Sequence, residues 1–126
     1  MSFMFILAYI TDFFFQAKVS ETARRVGVPV SLVTSESRFE LELKQNPSLI
    51  IVDLAADGID CVALVAKSKN VVPGTPVVAF GAHVKAELLE KAAEAGALAL
   101  PRSKFSRQLP EILMRAGVMS ARVTED

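Results

Sequence analysis

The 126-residue chain lacks three features that would each indicate a particular class of protein. Its single cysteine, Cys61, cannot form an internal disulfide, so a reducing compartment is favoured and we expect a cytoplasmic protein. Fourteen basic and fourteen acidic side chains cancel, which leaves no field of one sign to hold a nucleic acid. No apolar run approaches the roughly 18 residues of a membrane span. Neither a nucleic acid nor a membrane is therefore predicted as a partner.

The apolar residues 3–10 do not have the pattern of a targeting segment. No basic residue precedes them and Thr11-Asp12 follows them at once, so we expect a buried strand that leads into a helix. Internal repeats and low-complexity tracts are also missing. With 52% apolar residues the chain is long enough for one complete hydrophobic core. A single domain over residues 1–126 is therefore predicted.

Apolar runs and helical patterns alternate five times along the chain. The predicted strands cover residues 3–10, 28–33, 48–54, 76–80 and 97–100. The predicted helices run from Phe13 to about Arg25, from Thr34 or Ser35 to before Pro47, from Ile59 to about Lys69, from about Lys85 to Ala95, and from near Ser106 to Gly117; residues 119–126 are expected to fray. Strands that alternate with helices in this way pair in parallel through right-handed crossovers. The predicted fold class is α/β, a flavodoxin-like three-layer sandwich with a five-stranded parallel sheet in the order 2-1-3-4-5 and five helices.

The strand predicted over 48–54 carries one charged residue, Asp53, near its carboxyl end. In an open parallel sheet ligands bind outside the carboxyl ends of the strands, so a carboxylate there is placed for chemistry or for ion binding. It could equally hydrogen-bond a loop or cap the next helix. In the order 2-1-3-4-5, Asp12 follows the neighbouring strand, and the two carboxylates would share one crevice. Asp12 also suits the N-cap of the first helix.

Three short motifs have the order and spacing found in one known family. Residues 49–54 (LIIVDL) are similar to the strand that bears a phospho-accepting aspartate, and residues 57–59 (DGI) are similar to the start of the helix that follows it. Residues 93–97 (AEAGA) with Leu100-Pro101 are the third match. Over residues 3–118 the chain therefore resembles the receiver domain of bacterial two-component response regulators. The resemblance implies the same flavodoxin-like fold.

The resemblance implies a metal and phosphoryl site. In that family an acidic pair after the first strand and the acceptor aspartate hold Mg²⁺, a Ser or Thr ends the fourth strand, and a Lys ends the fifth. Asp53 is then the candidate phospho-acceptor, and Asp12 with Asp53 is the candidate metal site. Mg²⁺ is the one cofactor that the resemblance implies.

This chain departs from the family pattern at each of those positions except the acceptor. The acidic pair is reduced to Thr11-Asp12, which leaves one carboxylate where two are expected. The hydroxyl position is Gly81, and the lysine position is matched by Arg102, with Lys104 two residues on. Gly81, Arg102 and Lys104 are therefore the switch positions that the resemblance identifies.

These departures indicate a degenerate, stand-alone receiver, or pseudo-receiver, that is not an enzyme. We expect it to act in signal transduction through protein–protein interaction, without the normal phosphorylation switch. The alternative is a phospho-accepting receiver in a two-component phosphorelay, with Asp53 as the acceptor. A nucleotide or flavin binder on the same fold has less support, because no Gly-rich phosphate loop follows the first strand. The implied partner is a histidine kinase or a downstream signalling protein, and a homodimer through the fourth helix, fifth strand and fifth helix is expected.

Two groups of side chains carry simpler expectations. His83 is expected to be a loop residue without a catalytic role, and Cys61 is expected to pack within the third helix. A helix cannot bury three consecutive residues against one surface, so one of the rings of Phe13, Phe14 and Phe15 is expected to remain near solvent.

A basic cluster, Arg102, Lys104 and Arg107, is predicted between the fifth strand and the last helix. Positive charges at a helix start oppose the helix dipole, so the cluster needs an explanation. We expect Arg102 or Lys104 to pair with Asp53 across the crevice, as an internal cation.

Overall fold

Five strands alternate with five helices in the computed structural model, which describes residues 4–125 and the side chains of residues 4–116. The strands are β1 (Ile6–Tyr9), β2 (Val30–Val33), β3 (Leu49–Asp53), β4 (Val77–Gly81) and β5 (Leu98–Pro101). The helices are α1 (Phe13–Val26), α2 (Glu36–Leu43), α3 (Cys61–Val71), α4 (Ala86–Glu94) and α5 (Arg102–Glu125). No helix in the described part of the chain is both long enough and apolar enough to span a membrane.

The five strands form one parallel sheet in the order β2-β1-β3-β4-β5, which confirms the predicted flavodoxin-like topology. Every residue of β1, β3 and β4 is buried, because helices cover both faces of the sheet, and this explains their unbroken apolar runs. The register pairs Tyr9 with Val52, Asp53 with Phe80, and Gly81 with Pro101. The residues at the carboxyl ends of four strands therefore lie along one edge of the sheet.

Two groups of helices cover opposite faces of the sheet. One hydrophobic cluster joins α1 and α5 to the sheet, and a second joins α2, α3 and α4 to its other face. The largest side chains that the helices bury are Phe15 and Val19 of α1, Phe105, Leu109 and Leu113 of α5, Phe39 and Leu43 of α2, and Leu64 and Val65 of α3. Each such side chain contributes roughly 1.5–3 kcal/mol when it is fully buried.

An aromatic stack lies beneath the carboxyl edge of the sheet. The ring of Phe80, in β4, lies 4.2 Å from that of Phe105 between centroids, with 10° between the planes. The Phe15 ring lies 4.8 Å from Phe80 and 6.2 Å from Phe105. The stack therefore packs the first turns of α1 and α5 side by side against the end of β4.

The last helix is longer than predicted at both ends. α5 begins at Arg102, directly after β5, rather than near Ser106, because its buried face already starts at Phe105. It also continues past Gly117 to Glu125, since a glycine weakens a helix without necessarily ending it. The side chains of residues 117–125, and residue 126 as a whole, lie outside the described part, so the fraying of residues 119–126 stays a prediction.

The third helix begins two residues later than predicted, at Cys61 rather than Ile59. Asp60 is its N-cap, and one carboxylate oxygen of Asp60 accepts a hydrogen bond from the Ala63 N–H at 3.1 Å. That bond satisfies one of the free N–H groups of the first turn. Asp53 is therefore separated from α3 by a short loop that ends at a capping aspartate.

Candidate functional site

Asp53 ends β3 at the carboxyl edge of the sheet and is only 2% exposed. Its Oδ1 accepts a hydrogen bond from the Ala55 N–H at 2.9 Å. Burial raises the pKa of Asp53, and the charge of Asp12 adds to the rise; the Ala55 hydrogen bond and the charge of Arg102 act in the opposite direction. The site is therefore built around a buried carboxylate whose ionisation is disfavoured by its surroundings.

Asp12 lies at the same edge, two residues after the buried Ile10 that continues β1. Its Oδ1 accepts hydrogen bonds from the Phe14 N–H at 2.7 Å and the Phe15 N–H at 3.2 Å, so Asp12 is the N-cap of α1. Such a cap stabilises a helix by about 1 kcal/mol. The structure thus brings Asp12 and Asp53 to one edge of the sheet, and one oxygen of Asp12 is already used by the helix.

The carboxylates at this edge are fewer than those of the Mg²⁺ site that the family resemblance implies. Mg²⁺ requires near-octahedral oxygen coordination, with carboxylates to balance its charge. Thr11 supplies no charge, and Oδ1 of Asp12 is occupied by two backbone N–H groups. In the described residues no group of three or more acidic, histidine or cysteine side chains is arranged to hold a metal ion. Metal binding by Asp12 and Asp53 therefore stays a prediction without a complete donor set.

Gly81 ends β4 and is buried. A Cβ atom at this position would lie 3.4 Å from Leu54 Cβ, 3.5 Å from Leu54 Cδ1 and 3.8 Å from Leu89 Cδ2. Two leucines therefore border the space that a hydroxyl-bearing side chain would enter. Gly81 has no side chain with which to contact a group bound to Asp53.

Arg102, Lys104 and Arg107 lie within the first two turns of α5, not in a loop before it. The first turn contains no acidic residue, so these charges are not balanced within the helix start. The ion pairs found among the described side chains include none of the three. The prediction that Arg102 or Lys104 forms an ion pair with Asp53 is therefore wrong for this structure. Arg102 acts on Asp53 through its charge, without an ion pair.

The sequence did not predict that Phe13 and Phe14 are both exposed. The prediction of one ring near solvent is wrong, because Phe13 is 85% and Phe14 is 67% exposed, and only Phe15 is buried. The ring of Phe14 lies edge-on to that of Phe15, with 5.3 Å between centroids. The available signal was the run of three phenylalanines at a helix start, since successive residues point about 100° apart around the axis. The first turn of α1 thus presents two exposed aromatic rings beside Asp12.

Cys61 and His83 lie as the sequence predicted. Cys61 is 5% exposed at the start of α3, and its thiol points to the carbonyl oxygen of Ala56 at 3.7 Å. Burial and the charge of Asp53 raise the pKa of the Cys61 thiol to about 11, so it remains protonated at neutral pH. His83 is exposed in the loop between β4 and α4.

Comparisons with known proteins identify the fold. No protein-family model and no curated protein matches the sequence. Among solved structures, NtrX from Brucella abortus is similar with a TM-score of 0.79 and 21% identity, over 99% of this chain and 29% of that chain. A response regulator from Thermotoga maritima has a TM-score of 0.74 and 18% identity, over 90% of this chain and 97% of that chain.

A third similar structure is the beryllofluoride-activated NtrC4 receiver domain dimer, with a TM-score of 0.73 and 16% identity, over 88% of this chain and 97% of that chain. This chain thus spans the whole length of single receiver domains but less than a third of the NtrX chain. At these identities the likeness shows the fold, which is that of response-regulator receiver domains.

Proposed function

We propose that the chain is an atypical response-regulator receiver domain that acts in signal transduction by binding a protein partner, without the phosphorylation switch of the family. The observation that carries the proposal is Gly81, which has no hydroxyl where the family has one to bind a phosphoryl oxygen and whose Cβ position is bordered by two leucines. A group attached to Asp53 would find no such hydroxyl, and one carboxylate, that of Asp12, in place of the acidic pair of the family. Binding, rather than phosphoryl transfer, is the chemistry that these residues support.

The partner is a histidine kinase or a downstream signalling protein in this proposal. Phe13 and Phe14 offer it two exposed aromatic rings, and aromatic residues supply much of the binding energy at protein interfaces. Arg102, Lys104 and Arg107, which take part in none of the ion pairs among the described side chains, lie close by, because the aromatic stack holds the first turns of α1 and α5 together. Such charges contribute to the rate and the specificity of association more than to its strength.

The alternative function is a phospho-accepting receiver, which is supported by the placement of Asp53 at the carboxyl end of a central strand. The two functions differ in one measurable property. Incubation of the full chain with a small-molecule phosphodonor and Mg²⁺, followed by intact mass spectrometry, is expected to show no labile adduct. Asp53→Ala and Asp57→Ala serve as matched variants, since Asp57 is an exposed carboxylate on the same loop. A labile adduct that disappears in Asp53→Ala and persists in Asp57→Ala would overturn the proposal in favour of phosphotransfer.

A homodimer through α4, β5 and α5 is the second part of the proposal. Leu98 of β5 and Met114 of α5 are 57% and 54% exposed. Acidic residues predominate among the exposed charges of α4 (Glu87, Glu90 and Glu94, with Lys91 paired to Glu87), and basic residues among the described exposed charges of α5 (Lys104, Arg107 and Arg115, with Glu111). In a twofold dimer each α4 can face the α5 of its partner, which makes these charges complementary.

Light scattering over a dilution series tests the dimer. We expect the mass of a dimer at high concentration, and a shift to the monomer in Leu98→Asp at concentrations where the native chain is still dimeric. Leu41→Asp is the matched control, because Leu41 is 58% exposed but lies on α2, on the opposite side of the sheet from α5. A monomeric mass for the native chain at every concentration, or equal dissociation of both variants, would contradict this interface.

A further inference from the structure

Leu54 and Leu89 border the same small volume at the carboxyl end of β4. Both have side-chain carbons within 4 Å of the point where a Cβ would stand on Gly81. Leu54 directly follows Asp53, and its N–H donates a hydrogen bond to the Phe80 carbonyl at 2.9 Å, so its backbone continues the sheet. Leu89 belongs to the middle of α4. Leu54 is buried in the hydrophobic cluster against which Leu89 packs, so the residue after Asp53 and the helix that covers the end of β4 share one apolar core.

The start of α4 has few other constraints. Its N-cap residue, Lys85, makes no side-chain hydrogen bond to the first turn. Ala92 is the single buried residue of the helix, and Leu88 and Leu89 are partly buried against the same core. Because a cap is missing, apolar packing must fix the first half of α4 on the sheet. Leu89 is the member of this set whose side chain is among the nearest to a Cβ on Gly81.

We propose that Leu54, Gly81 and Leu89 form an apolar clamp that holds α4 in one position whatever the chemical state of Asp53. The proposal rests on the proposed function, because α4 belongs to the surface assigned there to a partner copy. In the family, the hydroxyl at the position of Gly81 transmits the state of the aspartate to that surface. Here the position has no side chain, and leucine carbons lie 3.4–3.8 Å from the point where its Cβ would stand. The binding surface on α4 is therefore presented constitutively.

Substitutions at Gly81 test how full this space is. The backbone of Gly81 is not in the left-handed region, and a Cβ would make ordinary contacts of 3.4–3.8 Å, so Gly81→Ala should keep or slightly raise the melting temperature. Gly81→Thr adds two more heavy atoms against the leucines and should lower it by about 3 °C or more. In a Leu89→Ala background the same Thr substitution should cost less, because the shortened side chain leaves room. Equal stability of Gly81→Ala and Gly81→Thr would overturn the clamp.

Hydrogen exchange measures the clamp on α4 itself. Leu89→Ala should accelerate amide exchange in the first half of α4 and in residues 81–85 by about tenfold relative to Leu88→Ala. Leu88 is the matched control, since it is a partly buried leucine of the same helix and the same core, whereas the three atoms nearest to a Cβ on Gly81 belong to Leu54 and Leu89. Equal exchange in the two variants would overturn the clamp. Neither measurement involves a phosphodonor, so an adduct on Asp53 would remove the proposed function and leave the clamp standing, whereas failure here removes the clamp alone.

Discussion

Replacement of Phe105 by alanine is expected to lower the free energy of unfolding by about 3–5 kcal/mol. Phe105 is fully buried, and its ring stacks on Phe80 at 4.2 Å between centroids with Phe15 at 6.2 Å. Its removal would leave a cavity between three elements, and none of them can close it without moving away from the other two. Urea or thermal denaturation followed by circular dichroism measures the loss.

The matched control is Phe13→Ala. Phe13 is the same residue type and also lies in the first turns of a helix at this edge, but it is 85% exposed. We expect a change in unfolding free energy within about 0.5 kcal/mol for this variant. If Phe13→Ala were as costly as Phe105→Ala, the assignment of Phe13 to the solvent would be wrong, and a loss within about 0.5 kcal/mol for Phe105→Ala would contradict its place in the stack. Because Phe13→Ala should leave the fold intact, any loss of partner binding in that variant can be attributed to the missing ring rather than to unfolding.

The topology of the sheet could be predicted because the relevant signals are local and repeated. Central strands that are covered on both faces are apolar throughout, and residues 49–52 are all large aliphatic residues. The helices that alternate with them require right-handed crossovers, which leaves few strand orders. The approach of Asp12 to Asp53 followed from the order alone, since both lie just beyond neighbouring parallel strands.

Details that depend on the exact position of a helix could not be predicted. Whether one or two of the rings of Phe13 and Phe14 are exposed depends on how far the first turn of α1 projects beyond the sheet. The failure of Arg102 to pair with Asp53 depends on where α5 begins. The neighbours of Gly81 are Leu54, which follows β3, and Leu89, which belongs to α4. No local sequence pattern around Gly81 predicts either contact. These features are set by tertiary packing, which a single sequence does not display.

Asp53→Asn is expected to stabilise the protein at neutral pH, by about 1 kcal/mol. The side chain is buried and its pKa is raised, mainly by burial, so the folded state holds its proton more tightly than the unfolded state does. The contribution of Asp53 to stability is therefore fully present below the ordinary aspartate pKa of about 4 and is lost as the pH rises through the higher pKa of the folded state. Asparagine keeps an oxygen to accept the Ala55 N–H hydrogen bond and carries no charge at any pH.

Thermal denaturation at pH 7 and near pH 4 checks both the sign and the cause. The gain of Asp53→Asn over the native chain should be largest at pH 7 and should shrink toward pH 4, because the raised pKa makes the folded carboxyl take up its proton as the pH falls. Asp53→Ala should gain less than Asp53→Asn, because the Ala55 N–H then loses its acceptor. Asp57→Asn, at an exposed position, should change stability at neither pH. A destabilised Asp53→Asn at pH 7 would mean that the ionised carboxylate is stabilised by its surroundings, which would favour a bound cation at this edge and with it the phospho-accepting alternative.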